Sequence, residues 1–251
     1  MRYPRDLGQH FITSGQAVQL FMSAVEQVKG LDFLEIGPGR GELTFPLAKV
    51  AGRLVAVEVD GRLATRLAKR LPANVSVVHG SGELLVLSTK TPVVISDTPF
   101  YLSSKIITNA AKNNNIRYLI LGVQLEVARR VAASPGSSCY GRLSVISQVY
   151  FKVSVVGEMP SAWFVPRPKV SGAVIFMERV RPWNSIGASL ERLTACLFSQ
   201  RNKRAAKVLR GCVGGPVPPS LEPPAGARVK DLDPQFLLRI AEWLTEKGSS
   251  Q

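Results

Sequence analysis

Two short stretches hold the residues best suited to chemistry. One is DTPF, Asp97 to Phe100, directly after the apolar run PVVIS (92–96). The other is EIGPGRG, Glu35 to Gly41, which ends the apolar run beginning at Asp32, with Glu58 at the end of the next such run. Glycines at 37, 39 and 41 let the backbone turn tightly and approach a ligand that side chains would exclude. An acid at the end of the following strand accepts hydrogen bonds from the ribose hydroxyls of an adenosine-containing cofactor. Position 42 discriminates between cofactors. A dinucleotide site wants Gly or Ala there and aims a helix N-terminus at a pyrophosphate, which Glu42 would repel. S-adenosylmethionine has no phosphate and bears a sulfonium cation, so Glu35 and Glu42 suit it better.

A methyl donor gives DTPF a task. An exocyclic adenine amine is a poor nucleophile because its lone pair is delocalised into the ring. Acceptors aimed at its hydrogens favour the pyramidal geometry needed for attack. Asp97 supplies one acceptor and the Thr98 backbone carbonyl another, Pro99 stiffens the turn, and Phe100 offers a face for the base to stack on. A base reached in this way is single-stranded or flipped out. A carboxylate also suits the positive charge that the amine gains during transfer.

These residues need an α/β frame. DFLEIG (32–37), RLVAVEV (53–59), NVSVVH (74–79), PVVIS (92–96) and RYLILGV (117–123) have the continuous apolar character of parallel strands covered on both faces. Helical patterns at 41–51 and 61–71 lie between them, which predicts an open, largely parallel sheet. FKVSVVGE (151–158) and SGAVIFMERV (171–180) predict an antiparallel pair closing one edge. From about residue 181 the pattern is helical, interrupted by a Gly/Pro-rich stretch (211–234) expected to be a plain linker. The expected division is therefore 1–180 and 181–251.

A net charge of +14 favours a polyanionic partner. RNKRAAKVLR (201–210) concentrates that charge without an acid. If the segment is helical, Lys203, Lys207 and Arg210 share one face. Arg201, Lys203, Arg204 and Lys207 are the expected phosphate contacts, on a nucleic acid rather than a membrane. No apolar run reaches the ~20 residues of a bilayer span, and the N-terminal residues lack the apolar core of a signal peptide, so a cytoplasmic address is expected. Three dispersed cysteines and two histidines argue against a metal site or a disulfide, so reduced thiols are expected.

The residues resemble the small-subunit ribosomal RNA adenine N6-dimethyltransferase family. The resemblance runs through GQHFITS (8–14), FLEIGPGRGELT (33–44), VAVEVD (55–60), DTPFYLSS (97–104), the long segment 123–150, WFVPRPKVSGAV (163–174) and FSQRNKRAAKVL (198–209). It implies a Rossmann-like class I S-adenosylmethionine-dependent methyltransferase sheet with a small C-terminal helical domain that binds RNA. It also implies a monomer that dimethylates two adjacent adenosines near the 3′ end of small-subunit rRNA, free or in a pre-ribosomal small subunit. Carried across residue by residue, the cofactor contacts are Gln9, His10, Ile12, Gly37, Gly39, Glu58, Ser81, Gly82 and Asp97. The target adenine is expected between Phe100 and Phe164. Two places depart from the family. Its usual Asn-Leu-Pro-Tyr is here Asp97-Thr98-Pro99-Phe100, and Ser81 stands where an Asp would contact the cofactor's adenine amine. Weaker cofactor affinity is the expected result, with Glu83 as a substitute acceptor if the loop bends inward. An RNA-binding assembly factor, and a methyltransferase of large-subunit rRNA or DNA, are the alternative readings.

Overall fold

The structure, a computed structural model, describes residues 10–97 and 102–249. Strands β1 (Phe11–Ile12), β2 (Phe33–Ile36), β3 (Leu54–Glu58), β4 (Val75–His79), β5 (Val93–Ser96), β6 (Tyr118–Gln124), β7 (Phe151–Met159), β8 (Phe164–Val165) and β9 (Gly172–Arg179) form two sheets. The larger has the order β4-β3-β2-β5-β6-β9-β7, and the smaller pairs β1 with β8. The neighbours from β4 through β6 are all parallel, while β9 runs antiparallel to β6. Every residue of β2 and β5 is buried. That is why these two runs lack the alternation of a half-exposed strand.

The helices are α1 (Gly15–Val25), α2 (Thr44–Ala48), α3 (Gly61–Ala68), α4 (Gly82–Leu85), α5 (Ser103–Lys112), α6 (Leu125–Val131), α7 (Arg142–Tyr150), α8 (Ser185–Phe198), α9 (Ala205–Val213) and α10 (Pro234–Ser249). Local signals start several of them. Ser14 accepts from the Gln16 N–H at the head of α1, and Asp60 from the Arg62 N–H at the head of α3. At the other end of α5, Arg179 donates to the carbonyls of Ala110, Ala111, Asn113 and Ile116. One guanidinium thereby satisfies backbone acceptors that a helix end leaves open. Phe21, Phe33, Ile95, Ile120 and Val174 belong to the core cluster that includes these elements, all at 0% exposure.

The chain leaves β2 for β3 on one side and returns to β5 on the other, so the strand order reverses between β2 and β5. In open α/β sheets this reversal opens a crevice at the carboxyl ends of the strands. The glycine loop after β2 and Asp97 after β5 both lie at those ends.

The chain divides into two compact units, 1–128 with 153–179, and 129–152 with 180–251. The chain crosses between them three times, after Ala128, after Lys152 and after Arg179. The segment 129–152, containing α7, groups with the helical unit, because the chain leaves the sheet after β6 and re-enters it in β7. In the helical unit α8 packs on α7, α9 and α10, and the Tyr140 hydroxyl donates to the Leu232 carbonyl at 2.7 Å.

Three expectations are corrected in this unit. Cys196 and Cys212 form a disulfide with Cα atoms 5.8 Å apart, not reduced thiols. Packing of α8 against α9 brings together two positions that sequence spacing leaves unrelated. The Gly/Pro-rich stretch is not a free linker, because Val217, Leu221 and Val229 are buried and two short 3-10 turns shape it. Finally α9 begins at Ala205, so Lys203 precedes the helix and does not share its face with Lys207 and Arg210.

Candidate active site

Glu58 organises the site. At 2% exposure its Oε2 accepts the Gly39 N–H and its Oε1 the Asp60 N–H, each at 3.0 Å. One carboxylate thus ties the glycine loop to the end of β3, and its remaining lone pairs face the cavity. The loop bends through left-handed backbone at Gly37, Gly39 and Gly41. At Gly41, a β-carbon would lie 2.6 Å from the Phe45 ring, so glycine is needed for packing as well as for conformation. The Arg40 guanidinium sits 4.6 Å above the Phe11 ring and covers the loop's outer side.

Around this loop lies a cavity of about 460 Å³. It brings together His10, Ile12, Gly37, Gly39, Glu58, Ser81, Gly82 and Asp97, residues far apart in sequence. His10 is held by its Nδ1 against the Pro166 carbonyl, 2.6 Å away. Ser81 occupies the N-cap of α4 but makes no side-chain cap bond, so its hydroxyl is not spent on the helix. Gly82 has a packing duty, since a β-carbon there would collide with Ile36. Gln9, Thr98, Pro99 and Phe100 lie outside the described residues.

Phe164 does not reach the cavity. It is 2% exposed, sits opposite Ile12 in the small sheet, and belongs to the hydrophobic core. Phe100, its expected partner in holding the target adenine, lies outside the described residues. Other residues line the cavity without having been expected as cofactor contacts, among them Glu42, Leu43, Leu102 and Lys105. The Lys105 Nζ pairs with the Glu83 carboxylate at 2.8 Å.

The lining is strongly acidic. Glu35, Glu42, Glu58, Glu83 and Asp97 all contribute. Burial pushes the Glu35 carboxyl up to about 8; the Thr44 hydroxyl works against this, and the Glu42 and Glu58 carboxylates add to it. Burial also raises Asp97, to about 7, with Glu42 contributing. Burial likewise raises Glu42. Glu35 Oε2 is a buried atom without a hydrogen-bond partner. An orphaned carboxylate oxygen among like charges is costly unless a cation or donor meets it. S-adenosylmethionine fits these residues: it brings a sulfonium and an ammonium to the acids and ribose hydroxyls to Glu58. A pyrophosphate would meet repulsion, because the lysine that lines the cavity is already paired.

The family model for ribosomal RNA adenine dimethylase matches residues 2–245. A relative from Aeropyrum pernix, named a probable ribosomal RNA small subunit methyltransferase A, is 43% identical over 94% of this chain and 87% of its own length. The Vibrio atlanticus ribosomal RNA small subunit methyltransferase A is 29% identical over 97% of this chain and 94% of its own. Among solved structures, a Plasmodium falciparum dimethyladenosine transferase superposes with a TM-score of 0.78 at 20% identity, covering 95% of this chain and 98% of that one. The 23S rRNA methyltransferase ErmE gives 0.67 at 24% identity, covering 93% and 99%. At such identities the two structures speak to the fold alone. With a family model spanning nearly all of its length and a relative at 43% identity, the chain belongs to the ribosomal RNA adenine dimethylase family, S-adenosylmethionine-dependent methyltransferases of rRNA adenine.

Proposed function

We propose that the protein transfers methyl groups to N6 of two adjacent adenosines near the 3′ end of small-subunit rRNA, giving dimethyladenosines during ribosome assembly. It acts as a monomer in the cytoplasm on small-subunit rRNA or a partly assembled small subunit. The observation that carries the reading is the acid-lined cavity at the carboxyl ends of β2, β3 and β5, with Asp97 on its wall. The names of the Aeropyrum and Vibrio proteins support the choice of substrate.

When bound, S-adenosylmethionine supplies an electrophilic methyl group on a sulfonium. Glu58 would hold the ribose hydroxyls, and Glu35 and Glu42 would face the positive charge. Asp97 accepts a hydrogen bond from the adenine amine and stabilises the charge that N6 gains. The second acceptor expected at Thr98 and the stacking face expected at Phe100 lie outside the described residues. The methylated ammonium is acidic enough to give its proton to water, so no dedicated base is required. Ser81 and Glu83 would meet the adenine end of the cofactor, where Ser81 offers a weaker acceptor than a carboxylate.

Tritiated-methyl transfer to unmodified small subunits tests the activity, and mass-spectrometric mapping tests the target. Incorporation at two adjacent adenosines, abolished by Asp97→Ala, is expected. Tight rRNA binding without incorporation would instead mark an assembly factor. The fold shared with ErmE makes large-subunit rRNA the other target to map.

A further inference from the structure

The helical unit carries fifteen basic and six acidic residues, a net +9 of the chain's +14. Part of this charge is gathered by a feature that the sequence conceals. Residues 201–205 run antiparallel to 227–230. The Ala205 N–H donates to the Ala227 carbonyl at 2.8 Å, the Val229 N–H to Lys203 at 3.1 Å, and the Lys230 N–H to Arg201 at 3.0 Å. Arg204 and Arg228 face each other across this ribbon.

Directly opposed like charges on paired strands are destabilising. Among the described residues, Lys203, Arg204, Lys207, Arg228 and Lys230 have no ion pair to offset them. The nearest acids are committed elsewhere: Asp231 accepts the Arg228 backbone N–H at 2.8 Å, and Glu222 pairs with Arg210 at 3.0 Å. Lys203, Arg204, Lys207 and Arg228 are exposed or half-buried, and so is Lys230. The ribbon is also firmly held. Val229 is fully buried beneath it, and the Arg201 guanidinium donates to the Ser137 and Tyr140 carbonyls at 3.2 and 3.0 Å. Arg201 is therefore an anchor of the ribbon, with its Nη2 engaged by backbone, rather than a free phosphate ligand.

We infer that this ribbon is a phosphate-binding ledge for the RNA backbone, in which Arg228 and Lys230 of the Gly/Pro-rich stretch act together with Lys203, Arg204 and Lys207. The inference deepens the proposed function and rests on it for the identity of the polyanion. A pair of opposed arginines flanked by lysines offers cations to successive phosphodiesters, whose charge relieves the repulsion between Arg204 and Arg228. The ledge reads no sequence. It supplies affinity and register, as phosphate contacts do.

The test is the salt dependence of binding to an unmodified transcript of the 3′ region of small-subunit rRNA. Each lost phosphate contact flattens the slope of log K against log salt by about 0.7 on single strands and about 0.9 on a duplex. Arg228→Gln/Lys230→Gln should therefore flatten it by about 1.4 to 1.8. Arg66→Gln/Lys69→Gln, two exposed cations of the sheet unit with the same charge change, should leave the slope unchanged. Arg228→Lys should keep most of the wild-type slope, and equal urea midpoints show that the variants are folded. An unchanged slope in Arg228→Gln/Lys230→Gln overturns the ledge, and would favour an acidic protein as the ribbon's partner. An equal loss in the control pair overturns it too, because the effect would then be general charge. Methyl transfer on small subunits is measured in parallel. Its absence with a flattened slope refutes the proposed reaction and leaves the ledge standing, whereas transfer with an unchanged slope does the opposite.

Discussion

Replacing Glu35 with glutamine tests whether the cavity is built to be neutralised by a cation. In the ligand-free fold burial raises the Glu35 carboxyl from 4.5 to about 8. The folded protein therefore holds a proton that the unfolded chain releases above about pH 4.5. The sign follows from linkage: stability is greatest at low pH, falls as pH rises through the window from 4.5 to about 8, and then levels off. At 1.36 kcal/mol per pH unit, the whole window amounts to a loss on the order of 5 kcal/mol. A glutamine amide cannot titrate, so the Glu35→Gln variant should lack this slope. Urea unfolding of both proteins at pH 5, 7 and 9 should show Glu35→Gln gaining several kcal/mol relative to wild type as pH rises. Asp97, raised to about 7, adds a second slope of the same sign, and Asp97→Asn separates the two. The same physics acts on binding. Near pH 7, S-adenosylmethionine should displace protons from Glu35 and Asp97, and S-adenosylhomocysteine, whose sulfur is neutral, should displace fewer. Calorimetry in buffers of different ionisation heat counts those protons. A wild-type-to-variant stability difference that does not change with pH would refute the reasoning. Equal proton release by the two ligands would do so as well.

Two further outcomes follow from packing. Gly122 on β6 lies against Asp97 Oδ1, and a β-carbon there would also come 2.8 Å from the Phe21 ring. Gly122→Ala should displace Asp97, lowering kcat at least tenfold while shifting cofactor Kd only slightly; an unchanged kcat would mean that the position of Asp97 does not matter. Opening the Cys196–Cys212 bridge by double substitution with serine should cost about 3 kcal/mol, from the chain entropy of a loop of this length. Chemical denaturation of the oxidised protein and the variant measures it, and equal midpoints would show that the bridge does not stabilise the fold.

Local signals made the core of the α/β unit legible. The five parallel strands emerge within a residue or two of the runs that announce them; β2 and β5 do so because strands buried on both faces must be apolar throughout. The glycine loop and Glu58 were legible too, since left-handed backbone and a buried acid at a strand end are local requirements. The burial of Phe164 opposite Ile12 was not legible, because it depends on the β1–β8 pairing. Glu42 was read as tolerable beside a sulfonium, but its place on the cavity wall next to Asp97 depends on how the loop after β2 folds back.

By itself, the sequence determined the strand order's raw material, the cofactor class favoured by Glu42, and the acid placed after the fourth of the parallel runs. These follow from periodicity and from chemistry within a few residues. Only the tertiary structure decided that five acids share one cavity, that Cys196 meets Cys212, and that Arg228 stands opposite Arg204. Such juxtapositions join residues from 16 to 62 positions apart. Sequence spacing carries no information about which of them the fold will bring within a few ångströms.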